Sequence, residues 1–176
     1  MDRLWAGWRL PYLAQDDDAR AAGIPDGMTL FEGILASGLP DEQTYVVWRG
    51  ETCFALLNAY PYTSGHVMVL PQRGVGSLDG LTEVEHAELW RGVRMAVAAI
   101  EAAYQPQGVN VGANLGEGSG AGVPDHLHVH VLPRWAGDTN FMTSVAEARV
   151  LPESLRDTWE RLVQAWPGEA PAASSS

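Results

Sequence analysis

The sequence predicts an α+β domain built on a mostly antiparallel five-stranded sheet, with one long helix and a short C-terminal helix. Three stretches carry that expectation. Residues 125–135 alternate polar and apolar side chains with period two, the mark of a strand. Residues 44–49 and 52–57 flank Gly50-Glu51 as the arms of a tight β-hairpin. From Leu81 onward, apolar residues recur at three- and four-residue steps, the period of a helix with one buried face.

Taken in order, residues 1–27 open with Trp5, Trp8, Tyr12 and Leu13, too aromatic for a free tail, and end in the turn chemistry of Ile24-Pro25-Asp26-Gly27. Residues 29–36 suit a short helix, stopped by Gly38 and Pro40. The hairpin follows, with Asn58 ending its second arm. Residues 59–65 form a turn-rich connection to a third strand at 66–71, and 72–80 form a loop. Thr82 and Glu85 have the spacing of a capping box at the start of the long helix. Leu89, Val93, Val97, Ile100 and Tyr104 form its core stripe, with Glu88, Arg91, Arg94 and Glu101 opposite. Pro106 and Gly108 stop it, and residues 109–114 make the fourth strand. A loop with Gly116, Gly118, Gly120 and Gly122 then runs straight into the fifth. Leu155, Trp159, Leu162 and Val163 mark an amphipathic helix near 152–165, before a tail rich in Pro, Ala and Ser that suits disorder. The expected division is an aromatic segment and loop at 1–27, one domain at 28–166, and a tail at 167–176.

With 176 residues, 46% of them hydrophobic, the chain suits a single domain with a real core. A net charge of −11 repels nucleic acid polymers and anionic membranes, so neither is an expected partner. Any phosphate site must therefore be built locally, from imidazoles, Arg134 and backbone N–H groups. Cys53 is the only cysteine, which leaves no internal disulfide, and its apolar surroundings suggest core packing. Residues 1–9 lack the pattern of a signal peptide, and no apolar run is long enough to span a bilayer. The expectation is a soluble, cytoplasmic protein.

The polar positions of the fifth strand are His126, His128 and His130. Alternation puts the three on one wet face, with Leu127, Val129 and Val131 pointing into the core. Neighbours on that face are about 6.6 Å apart and the outer pair about 13 Å apart at Cα. Two of the imidazoles can converge on a zinc ion; all three cannot readily do so. The row suits a linear task better, in which one imidazole attacks and its neighbours orient it and handle protons, since imidazole titrates near neutral pH. The central His128 is the natural nucleophile.

The run His126 to Leu132, His-φ-His-φ-His-φ-φ, resembles the signature of the histidine triad (HIT) superfamily of nucleotide hydrolases and transferases. Pro133-Arg134-Trp135 followed by Gly137-Asp138-Thr139-Asn140-Phe141-Met142 resembles its diadenosine tetraphosphate phosphorylase and fragile-histidine-triad hydrolase branch, as does the Trp5-x-x-Trp8-Arg9 opening. Asn58-x-Tyr60-Pro61 and Gly65-His66 up to Pro71 also resemble the superfamily; the Lys-Lys-His of the phosphoramidase branch is replaced by Gln72-Arg73-Gly74. The resemblance, over roughly residues 28–145, implies a HIT-like fold and a homodimer. It implies that Asn58 contacts ribose and that Asn114 and the glycine loop, Ser119, Gly120, Ala121 and Gly122, hold phosphates. It further implies that His130 and His66 hold the ring of His128 while His126 sits by the leaving group. Without the resemblance, Asn58 reads as a turn cap and His66 as a sheet histidine.

The expected activity is two-step nucleotidyl transfer on a dinucleoside polyphosphate such as diadenosine tetraphosphate, with a nucleotidyl-His128 intermediate released by phosphate or water. Phosphorolysis is the favoured ending. No metal ligand or cofactor is required, although magnesium could accompany the polyphosphate. Two alternatives use the same histidines without a covalent step: a metal-binding protein, and a nucleotide-sensing protein.

Overall fold

The computed structural model describes residues 24–119, 122–138 and 153–168. The aromatic opening before Ile24, Gly120 and Ala121, the stretch containing Thr139 to Met142, and the tail beyond Gly168 lie outside the described residues.

Two short helices lead in. α1 (Leu30–Ala36) is N-capped by Thr29 with a complete capping box to Glu32. α2 (Asp41–Thr44) ends on Tyr45 in the left-handed region, at φ 57°. Because Tyr45 redirects the chain, the first strand starts two residues later than residue 44, where the sequence pattern suggested. β1 (Val46–Arg49) pairs antiparallel with β2 (Cys53–Leu57), and β2 with β3 (Val67–Pro71). Next come α3 (Glu83–Tyr104), β4 (Gly108–Ala113), a single 3₁₀ turn (Glu117–Ser119), β5 (Val129–Arg134) and α4 (Leu155–Ala165). The strands lie in the order β1-β2-β3-β5-β4, and every pairing is antiparallel.

Period two sorts the sheet into two faces. Cys53, Ala55, Leu57, Val67, Val69, Val129 and Val131 point to one side, where they meet Leu89, Val93, Ala96 and Ile100 of α3 and Leu155 and Leu162 of α4. Gly92 lets α3 come close: a Cβ there would stand 2.8 Å from Val69 Cγ1 and 2.9 Å from Trp48 Cζ3. The capping box expected at Thr82 and Glu85 is present, and Glu85 also receives Arg73 Nε at 2.6 Å. Within the stripe, Val97 and Tyr104 are half-buried rather than core.

The opposite face holds Phe54, Leu56, Met68 and Leu70, together with the histidines. It was expected to be wet. Instead Phe31 of α1 and its neighbours Ile34 and Leu35 close over it as a second apolar cluster.

Candidate active site

β5 begins at Val129, four residues later than the alternation suggested, and the cause lies in β3. Regular pairing of β3 with β5 is recorded from Val67↔Val131 to Val69↔Val129 and no further. Beyond it the chain is held by other means. Leu127 N–H donates to Val75 O at 2.6 Å, and His126 Nε2 lies 2.8 Å from Pro71 O. Proline closes the β3 end, where it has no N–H to offer a ladder. His126 therefore sits in a bend, its N–H on Val123 O at 3.3 Å, His128 lies in the short approach to the strand, and only His130 lies within it.

All four candidate histidines are buried: His126 at 0%, His66 at 1%, His128 at 5% and His130 at 9% relative exposure. Phe31 covers two of them, edge-on to His126 at 5.2 Å and tilted over His128 at 5.6 Å. The half-exposed ring of Tyr62 lies 4.8 Å from His66 and 6.0 Å from His130. Gly112 faces His130 across the β4–β5 ladder, and nothing lies within 4 Å of where its Cβ would be. On that side the histidines border open space.

The hydrogen bonds fix where each ring carries its proton, because a backbone carbonyl only accepts and an N–H only donates. His128 Nδ1 lies 2.7 Å from the His126 carbonyl, so Nδ1 bears the proton and Nε2 keeps its lone pair. Tyr62 N–H donates to His66 Nδ1 at 3.1 Å, so His66 donates from Nε2 to His130 Nδ1 at 2.9 Å. His130 then carries its own proton on Nε2, a buried atom with no partner among the described residues. His126 Nε2 donates to Pro71 O, and the Thr29 hydroxyl donates to His126 Nδ1 at 2.6 Å. Burial lowers the affinity of His126 for a second proton. Burial, with the neighbouring His128, pushes His130 down to about 4. Both rings are therefore neutral at pH 7.

The hydrogen bonds distribute the rings as follows from these partners. The His128 ring is oriented by the His126 carbonyl, while His66 bonds to His130, whose ring stands edge-on to that of His128 at 5.0 Å, centroid to centroid. The His126 ring has both nitrogens engaged by protein and offers neither to a leaving group.

The remaining candidates divide. Asn58 stands beside His66, with Nδ2 3.4 Å from its Nδ1, while its Oδ1 accepts from Tyr60 N–H at 2.9 Å in a local turn. Asn114 directly follows the Ala113↔Val129 pair, which carries it toward His128. The Ser119 hydroxyl donates to Gly116 O at 2.6 Å, and Gly122 is exposed on the same loop. Arg134, expected at the phosphate, is not with the histidines. Four residues along the strand from His130, about 13 Å away, it closes on Asp138 through Nε at 2.6 Å and Nη2 at 2.8 Å. Missed in the sequence were Thr29, Phe31 and Tyr62. Thr29 left a signal, since Thr29-x-x-Glu32 is a capping box as readable as the one at Thr82.

The triad, His66 and Asn114 all fall within residues 40–137, the segment matched by the HIT domain family model. The chain belongs to the HIT domain family. Its relatives include an AP-4-A phosphorylase of Mycobacterium tuberculosis, 42% identical over 169 residues that cover 94% of this chain and 85% of that protein. A bis(5'-nucleosyl)-tetraphosphatase (asymmetrical) of Schizosaccharomyces pombe is 38% identical over 93 residues, 53% of this chain and 50% of that one. Among solved structures, a Hit-like protein involved in cell-cycle regulation from Bartonella henselae superposes with a TM-score of 0.64 at 20% identity, over 80% of this chain and 98% of that one. That likeness bears on the fold alone: the five-stranded antiparallel sheet, long helix and C-terminal helix are those of a HIT domain.

Proposed function

We propose that this HIT domain is a nucleotidyl transferase that cleaves dinucleoside polyphosphates, diadenosine tetraphosphate in particular, by way of a nucleotidyl-His128 intermediate. The observation that carries the reading is the 2.7 Å bond from His128 Nδ1 to the His126 carbonyl. It selects the Nδ1–H tautomer of the neutral ring and orients the Nε2 lone pair, which an imidazole nucleophile needs. In the first step Nε2 attacks the α-phosphorus, the P–N bond forms, and the P–O bond to the leaving nucleotide breaks. In the second, an oxygen of inorganic phosphate or water attacks the same phosphorus and the P–N bond breaks.

The unpartnered Nε2–H of His130, supplied with its orientation by His66, is suited to hydrogen-bond a phosphoryl oxygen as charge gathers there. A neutral ring makes it a donor of a hydrogen bond rather than a ready source of a proton. Asn58 serves the ribose and Asn114, with the Ser119–Gly122 backbone, the phosphates. Arg134 is omitted from this set because Asp138 already occupies its guanidinium. Arg49, Arg73, Arg156 and Arg161 likewise face carboxylates. Among the described residues beside the histidines, phosphate charge is met by amides and imidazoles, with any magnesium arriving on the polyphosphate; in this reading the protein supplies no metal of its own. The metal-binding alternative would require His126 to give up Thr29 or Pro71.

The kinship with an AP-4-A phosphorylase across both chains favours phosphate as the acceptor. Incubation with diadenosine tetraphosphate and labelled phosphate tests this. Label in ADP, with ATP as the other product, is expected; unlabelled AMP with ATP, formed at the same rate without phosphate, would make the enzyme a hydrolase. Absence of any turnover with a nucleotide bound would favour a sensor. A homodimer through β4 completes the reading. That strand is an edge, paired only with β5 among the described strands, and Val111 on it is 43% exposed. Among the described residues no helix is long and apolar enough to cross a membrane. A cytoplasmic location suits a nucleotide substrate.

A further inference from the structure

We propose that Thr29 is a positioning residue of this site, whose hydroxyl holds the His126 ring and thereby the carbonyl that orients His128. The proposal rests on His128 being the nucleophile. Thr29 lies before the residues matched by the family model and 97 positions from His126, yet the two meet at 2.6 Å.

Two capping boxes in this one chain allow a comparison. At α3, Thr82 accepts from Glu85 N–H at 3.3 Å and gives its single hydroxyl proton to Glu85 Oε2 at 2.9 Å, while Arg73 bonds both oxygens of that carboxylate. At α1, Thr29 accepts from Glu32 N–H at 3.3 Å in the same way. Glu32 takes Thr29 N–H on Oε2 at 2.7 Å, as Glu85 takes Thr82 N–H, and Gly74 N–H on Oε1 at 2.8 Å. The Thr29 proton goes instead to His126 Nδ1. Gly74 is placed by packing as well as by this bond, since a Cβ there would meet Thr29 Cγ2 at 2.8 Å.

The consequence runs through His126. With Nε2–H committed to Pro71 O, the buried Nδ1 lone pair has one donor, the Thr29 hydroxyl. Removing that donor leaves an unsatisfied acceptor in a fully buried ring. The ring can recover only by turning or by moving its proton to Nδ1, which would set Nε2 and Pro71 O as two acceptors face to face. Either response shifts the His126 carbonyl, and with it the proton on His128 Nδ1 that keeps Nε2 free.

The test compares Thr29→Val, Thr29→Ser and Thr82→Val in the full chain, by steady-state kinetics with diadenosine tetraphosphate and phosphate and by imidazole ¹⁵N NMR. Thr29→Val should lower kcat roughly ten- to hundredfold, the span expected of one unsatisfied buried group, with KM within about twofold. In its spectrum His126 and His128 should leave their single tautomers. Thr29→Ser should restore both readouts, and Thr82→Val, losing an equivalent cap, should leave both as in wild type. If Thr29→Val does not fold, Thr29→Gly takes its place, because glycine caps a helix nearly as well and lacks the donor. Unchanged tautomers in the Thr29 variant, or an equal kcat loss in Thr82→Val, would reduce Thr29 to a helix cap and overturn the proposal. Should the wild type turn over no dinucleoside polyphosphate, the functional reading fails, while the tautomers still decide the role of Thr29.

Discussion

His66 Nε2 stands 2.9 Å from His130 Nδ1, and the Tyr62 amide on the far side of His66 sets which of them donates. An amide can only give, so the chain of protons runs one way, from the loop before β3 to the Nε2 of His130. His66→Ala should break that order while removing no group that bonds to substrate. We expect kcat to fall roughly ten- to hundredfold, the effect of one unsatisfied buried ring nitrogen, with a small change in KM. A rise in KM at constant kcat would instead make His66 a binding residue.

Replacing His128 with alanine should abolish the covalent step, with a loss of more than roughly a thousandfold in kcat. Nucleotide binding should survive, because other groups hold the ribose and phosphates. Quenching wild type with radiolabelled substrate should trap an acid-labile phosphoramidate on the protein, and His128→Ala should trap none. Activity within tenfold of wild type would remove His128 from the nucleophile's position.

Acid should destabilise the fold before the carboxylates titrate. His130 is pushed down from 6.5 to about 4 in the native state. Between those values the unfolded chain holds more protons than the folded one, so stability falls as pH falls; above them the ring is neutral in both states and stability does not depend on it. Glu85, held at about 2 by Arg73, adds a loss in the same direction only below its ordinary 4.5. The urea midpoint should therefore drop between about pH 6.5 and 5. His130→Asn should reduce that slope, leaving the part that His126, also lowered by burial, contributes; the same slope in the variant would assign it to other groups.

Gly92→Ala tests the close approach of α3 to the sheet. Alanine gains about 1 kcal/mol in helix propensity. Its methyl, though, would enter the space of Val69 Cγ1 and the Trp48 ring, an overpacking that costs about 1–3 kcal/mol. We expect a net loss of about 1 kcal/mol in urea unfolding. A stabilised variant would mean that Trp48 swings aside freely.

Elements that announce themselves locally were legible in the sequence. The hairpin, β3, the capped α3, β4 and α4 all fall within a few residues of their expected places, because period and caps are properties of neighbours in the chain. The histidine row was legible as a site for the same reason. Its burial was not, since the cover comes from Phe31 and Thr29, far along the chain, and no periodicity in residues 125–135 reports on them. Nor was the assignment of jobs within the row. That depends on which carbonyl or amide meets each ring nitrogen, and Pro71 O and Tyr62 N–H are brought there by the fold. Arg134 is a different case: Asp138, its partner, lies four residues on and was visible beside it.

The His66–His130 contact spans 64 residues of chain, with α3 and β4 lying between its partners in sequence. Pairings of that separation carry the loop-closure entropy that slows folding, while helices and hairpins form early. Neither the β1-β2-β3 meander nor α3 alone holds two histidines of the site together. During refolding, circular dichroism at the helix band should thus recover ahead of catalysis. The delay between the two signals times the docking of β5 onto β3, which makes turnover a clock for the closure that brings the histidines together.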